Sequence, residues 1–101
     1  MNHAYYLLKL AILDFFQKNQ EVEMTSSKMS KQFGLITKSP RGLGQNRISL
    51  ELLETLTADG FLMEKTEKTK NNRVKRRLYR YHNIHKTIPE GWIVHKLHEN
   101  L

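Results

Sequence analysis

The chain has 101 residues, 27% charged and 39% hydrophobic, with a formal net charge of +7 and no cysteine. That length gives room for one domain with a modest core, and the missing cysteines exclude disulfides and thiolate metal sites and fit an intracellular, cytoplasmic protein. No apolar run approaches the ~20 residues that span a bilayer, and the apolar stretch from Met1 to Phe16 holds Lys9 and Asp14 and lacks a small-residue cleavage site, so neither a membrane partner nor a signal peptide is expected.

His3 to Lys18 is predicted to be a helix, because Tyr5, Leu8, Ile12, Phe15 and Phe16 recur at three- and four-residue spacing and share a face. Glu21 to Met24 reads as a short extended piece around Val22. Thr25-Ser26-Ser27 then offers side-chain oxygens to the free amides of a helix start. The helix it opens runs roughly from Ser26 to Phe33, and Gly34 stands where a left-handed C-terminal residue is wanted. Leu35 to Gln45 joins a helix-start signal, Ser39-Pro40, to Gly42 and Gly44. Each glycine costs a helix ~1 kcal/mol relative to alanine, so the segment reads as an extended, partly helical turn. Asn46 to Asp59 is the strongest helix, with Ile48, Leu52, Leu53 and Leu56 as its apolar stripe and Gly60 as its stop. Phe61-Leu62-Met63 begins a strand, Glu67 to Asn72 is a turn signal, and Val74 to Tyr81 returns as a second strand. Thr87-Ile88-Pro89 opens a last amphipathic helix, about 88–99, carrying Trp92, Ile93, Lys96 and Leu97.

The charge is concentrated in the hairpin. Lys65 to Arg80 holds eight Lys or Arg and one acid, Glu67, and so sums to +7; the other residues hold nine basic and nine acidic side chains and sum to zero. A focused basic patch is the footprint of a polyanion binder, because each cation that neutralises a phosphate releases condensed counterions. The competing reading is a solvated basic loop.

Helix, short strand, helix, turn, helix and two-stranded hairpin is the order of the winged helix-turn-helix family, which the chain resembles over roughly residues 4–84. The most specific stretch runs from Leu52 to Leu62, where leucines, a helix-breaking Gly60 and the following Phe61-Leu62 resemble the end of the family's recognition helix and its entry into the wing. Met24 to Leu35 resembles the family's second helix. The chain departs from the pattern between Gly34 and Asn46, where about eleven residues replace a short turn. Either the recognition helix begins near Ser39 or a loop is inserted. The expected fold is therefore α+β and mostly helical: one winged-helix domain over 1–101, with a basic hairpin as wing and an extra C-terminal helix.

The resemblance implies double-stranded DNA as the partner. The third helix of this family lies in the major groove with its N-terminal half toward base edges, which makes Gln45, Asn46, Arg47, Ser49 and Leu50 the base-contact candidates. Arg can pair with guanine O6 and N7, and Asn or Gln with adenine N6 and N7. Glu51 and Glu54 on the same helix would repel phosphate if turned toward it. Lys38, Ser39 and Arg41 precede that helix and suit a backbone phosphate, with Gly42 and Gly44 allowing close approach. In the wing, Lys68, Lys70, Arg73, Lys75, Arg76 and Arg77 sit at or beside the tip, suited to the backbone or a narrow minor groove. Strand alternation sets Lys75, Arg77, Tyr79 and Tyr81 on one face and Val74, Arg76, Leu78 and Arg80 on the other, with the tyrosines as packing residues.

Five histidines include two pairs three residues apart, His82/His85 and His95/His98. Without cysteine or a carboxylate constellation they read as solvated side chains, so no metal and no cofactor is expected. No phosphate loop or nucleophile motif is present, and an enzyme is not expected. Surplus aromatics on the first helix (Tyr5, Tyr6, Phe15, Phe16) and the Trp92, Ile93 and Leu97 side chains near the C-terminus predict a homodimer through the terminal helices, reading a near-palindromic site. The expected function is that of a sequence-specific DNA-binding protein, a small homodimeric transcriptional regulator acting by occupancy. The alternatives are a plasmid or viral replication or partition protein, and a winged-helix module that grips RNA or an acidic protein.

Overall fold

The computed structural model of the chain describes residues 3–35 and 47–95. In chain order these form α1 (His3–Lys18), α2 (Ser26–Gln32), α3 (Arg47–Ala58), β1 (Leu62–Lys68) and β2 (Val74–Tyr81). The result is a small α+β fold of three helices and a two-stranded antiparallel hairpin, an order compatible with a winged-helix layout. No helix among the described residues is long and apolar enough to cross a membrane. Most of the turn expected over 35–45 falls outside the described residues, as do Gln45 and Asn46.

Local chemistry sets the helix ends. The Thr25 hydroxyl accepts the amide of Lys28 at 3.1 Å and caps α2. Gly34 follows with φ 65°, and Gly60 ends α3 with φ 87°, the left-handed backbone that glycine enters without a Cβ clash. The amide of Phe61 returns to the carbonyl of Leu56 at 2.9 Å, closing the last turn of α3 before β1 begins.

One core joins the helices to the inner face of the hairpin. Ile12 and Phe16 of α1, Met29 of α2, and Leu52, Leu53 and Leu56 of α3 are buried together with Met24, Leu62 and Tyr79. Each such aliphatic side chain contributes roughly 1.5–3 kcal/mol on leaving water. Phe15 meets Phe16 and Phe33 edge to face at 5.7 and 5.8 Å, tying α1 to the end of α2.

The stripe of α3 differs from the expected one by a residue. Ile48 is 46% exposed, and Ser49, 1% exposed, takes its place in the core. Its Oγ lies 2.7 Å from the Oγ of Ser30 on α2. The two serines satisfy each other where α2 and α3 pack, so a small polar pair occupies a position the hydrophobic pattern assigns to Ile48.

In the hairpin Leu62 pairs with Tyr81, Glu64 with Tyr79, Thr66 with Arg77 and Glu67 with Arg76, and a bulge between Glu67 and Lys68 shifts the register. Single bridges extend the sheet on both sides: Met24 exchanges both backbone hydrogen bonds with Tyr79, and Ile93 does so with Glu64. Met24, Tyr79, Glu64 and Ile93 thus lie in one row across four segments.

The C-terminal helix expected over 88–99 does not form in its described part. Residues 89–92 make a turn, closed by the Trp92 amide on the Pro89 carbonyl at 3.2 Å with Gly91 at φ 88°, and Ile93 bridges to β1. Positive φ at Gly91 and the β-branched pair Ile93-Val94 favour extended chain over helix here. Trp92 instead packs with Met63 and Leu78 on the outer face of the hairpin, with Val94 against them. The base of the hairpin is therefore covered on both faces, by the helical core on one and by Trp92 on the other.

Candidate nucleic-acid interface

The hairpin tip is closed by hydrogen bonds among its own residues. Thr69 closes it three times: its amide donates to the Arg73 carbonyl at 2.8 Å, its carbonyl accepts from Asn72 at 2.9 Å, and its hydroxyl accepts from the Arg73 amide at 3.3 Å. Asn72 takes φ 62°, a left-handed position that Asn tolerates better than most residues.

The eight cations of Lys65 to Arg80 divide into three groups. Lys65 and Arg80 lie over the ring of Trp92 at 6.0 and 5.8 Å, so their charges serve the packing of the C-terminal segment. Arg76 forms a salt bridge with Glu67, its partner across the strands. That hydrogen bond is the main cause holding the Glu67 carboxyl below its usual value, with Arg76, Lys75 and Lys65 adding through charge, and it raises Arg76 in return. Arg76 is thus paired within the hairpin, which sequence position alone does not reveal. The remaining five, Lys68, Lys70, Arg73, Lys75 and Arg77, are exposed and make no ion pair among the described residues. They occupy the tip and the adjoining part of β2.

Beside them is an open groove of about 600 Å3 between α2, α3 and β2. Thr25, Ser26 and Ser27 form one wall, Lys75, Arg76 and Arg77 another, and Leu50 and Glu54 of α3 the third, with Tyr79 among its lining residues. Burial is the first cause pushing the Tyr79 phenol up, with the Glu64 and Glu54 carboxylates adding and Arg77 opposing, so the ring stays neutral. It is a packing residue, as the sequence suggests. The three hydroxyl residues before and within α2 read in the sequence only as a helix cap; their second place, as a polar groove wall facing the basic strand, comes from the Met24–Tyr79 bridge that brings them there.

The base-contact candidates fare unequally. Arg47 opens α3, and Gln45 and Asn46 lie outside the described residues. Ser49 is buried with its hydroxyl against Ser30, in the core and not on the outer side of α3 where a base-contact residue would stand. Leu50 is exposed and lines the groove. Beyond its first residue the outer side of α3 presents Ile48, Leu50, Glu51, Glu54 and Ala58, two acids and no cation. Lys38, Ser39 and Arg41 are also outside the described residues.

The described histidines are dispersed, and His98 of the expected His95/His98 pair lies outside the described residues. His82 is buried, with Nδ1 at 3.0 Å from the Gly60 carbonyl oxygen, and its amide donates to Phe61 at 3.0 Å; it locks the end of β2 to the α3–β1 turn. His95 Nε2 lies 3.0 Å from a Glu64 carboxylate oxygen. No group of three or more metal-ligating side chains gathers among the described residues. A search of protein families, of curated proteins and of solved structures finds no match to this chain.

Proposed function

We propose that the protein is a winged-helix, sequence-specific double-stranded DNA-binding protein, a small homodimeric transcriptional regulator that acts by occupying its site. The observation that carries this reading is the set of five exposed cations on the hairpin tip and β2 that make no ion pair among the described residues, bordering a groove walled by hydroxyl side chains and α3. Phosphate contacts of this kind give affinity and register without reading sequence. Base reading falls to Arg47, the first residue of α3, and to Gln45 and Asn46, which precede it in sequence, because Glu51 and Glu54 further along would repel the backbone. The wing therefore supplies most of the affinity, and the first turn of α3 the preference.

A second reading rests on the same helix. The outer side of α3, with Ile48 and Leu50 exposed beside two glutamates, suits a protein surface better than a phosphate backbone, which favours a winged-helix interaction module. Selection of bound duplexes from a random pool at physiological salt separates the two. An enriched motif supports the regulator, and two-fold symmetry in it supports the dimer. Binding without enrichment replaces the regulator by a non-specific or RNA-binding role, and absence of binding leaves the interaction module.

A further inference from the structure

We infer that a cleft at the base of the hairpin, lined by Arg80 and Lys86, is a binding site for a small oxyanion such as inorganic phosphate. The cleft has a volume of about 40 Å3 and lies where the residues just beyond α1, the end of β2 and the segment 83–89 meet. Asn83 Nδ2 donates to Gln20 Oε1 at 3.0 Å and so joins the first of these elements to the last. None of the five exposed wing cations lines it.

Arg80 is the unbalanced group in the cleft. Its Nε is buried and makes no hydrogen bond among the described residues, and the side chain makes no ion pair among them. A guanidinium keeps its protons in proteins, so the Nε–H cannot be relieved by neutralisation. Buried donors without an acceptor are destabilising, and native proteins meet them with a protein group, a water or an ion. Trp92 lies against this guanidinium, its ring centre 5.8 Å from Cζ, but an indole ring offers no oxygen to the Nε–H.

The other lining groups decide the chemistry of the missing acceptor. Lys86 adds a second cation, and Tyr81 and Thr87 add hydroxyls. The amides of the cleft are already engaged: Asn83 Oδ1 accepts the His85 amide at 2.9 Å, and Gln20 Nε2 donates to the Gln17 carbonyl at 3.2 Å. Glu21 also lines the cleft, but it is exposed and pairs with neither cation. Two cations and two hydroxyls thus stand against one exposed carboxylate, a set that favours a ligand which accepts and is negative. A water would accept the Nε–H but leave both charges unmatched. The volume suits one small ion and is far below the roughly 300 Å3 at which pockets for larger ligands begin. An ion held there ties the segment 83–89 to β2, just before the turn that seats Trp92 on the hairpin.

The test is a titration of the wild type with sodium phosphate, with sodium chloride holding the ionic strength constant. Proton–nitrogen spectra follow the Arg80 Nε–H and the Lys86 and Thr87 amides. These signals are expected to move together and to saturate with a Kd near ~1 mM. Lys86→Ala, at an exposed position, is expected to weaken binding about threefold, and Arg80→Lys, which keeps the charge but removes the Nε–H, at least about tenfold. Circular dichroism checks that both variants fold; if Arg80→Lys does not, Lys86→Ala carries the test. Absence of a saturable response by about 50 mM phosphate overturns the inference, because the cleft then holds only water. So does an affinity that Lys86→Ala leaves unchanged. A response of these signals to duplex DNA and not to phosphate also overturns it, since the two cations would then belong to the nucleic-acid interface.

Discussion

Replacing Ser49 by alanine distinguishes a buried structural role from a place on the DNA-reading surface. The Ser30–Ser49 hydrogen bond is 2.7 Å long, and both side chains are fully buried. Removing one hydroxyl leaves the other without a partner in the interior, which costs about 1–3 kcal/mol. Alanine is the better helix residue by about 0.5 kcal/mol, so the expected net loss for Ser49→Ala is about 0.5–2.5 kcal/mol. In a domain of this size that lowers the melting temperature by roughly 4–8 °C per kcal/mol. Ser30→Ala should behave alike. The double variant loses one net hydrogen bond of about 1 kcal/mol and gains twice the helix preference, so it should return close to wild-type stability. Thermal and urea unfolding of the four proteins, followed by circular dichroism, completes the cycle. If Ser49→Ala keeps full stability and instead changes base preference in duplex binding, Ser49 faces the ligand and the packing of α3 described here is wrong.

Trp92→Ala should destabilise the fold by about 3 kcal/mol, since it uncovers Met63 and Leu78 and removes the ring under Lys65 and Arg80; the urea midpoint reads this, and an unchanged midpoint would show that the segment after Pro89 does not cover the hairpin. As the chain's one tryptophan, Trp92 should shift its emission to the red in the same urea transition as the helical signal. Glu67→Gln frees Arg76 and raises the count of available wing cations from five to six, so duplex affinity should rise for all sequences and the salt slope should steepen by about 0.9. The same pairing makes a pH prediction. The Glu67 carboxyl lies below its unfolded value, so its pairing supports the hairpin above the ordinary carboxylate range and is lost as pH falls through the lowered value, and Glu67→Gln should remove that part of the acid dependence seen in hairpin amide signals.

Much of the fold is written in short-range signals. The three- and four-residue recurrence of Tyr5 to Phe16 marks α1, Thr25 and Gly34 bracket α2, and Gly60 separates α3 from the hairpin, each through a backbone requirement local to a few residues. What escapes a local reading depends on contacts distant in sequence. The stripes beginning at Ile48 and at Ser49 share Leu52, Leu53 and Leu56, and only the serine on α2, nineteen residues earlier, decides which one faces inward. The spacing of Trp92, Ile93, Lys96 and Leu97 suits a helix, but Gly91 two residues after Pro89 and the β-branched pair after Trp92 are turn and strand signals that the uncovered face of the hairpin makes decisive. In the hairpin the basic window is legible as charge. Its division into five available cations, one matched to Glu67 and two held over Trp92, follows from strand register and from where the C-terminal segment packs.

The most direct test of the wing as the main contact is the salt dependence of duplex affinity for the wild type and for a variant with Lys68, Lys70, Arg73, Lys75 and Arg77 changed to alanine. Five released counterion sites predict that the logarithm of the binding constant falls with the logarithm of salt concentration with a slope near −4.5, and that the variant loses most of this slope together with its affinity. A folded variant that keeps the wild-type slope would contradict the account, because the phosphates would then be held elsewhere on the molecule.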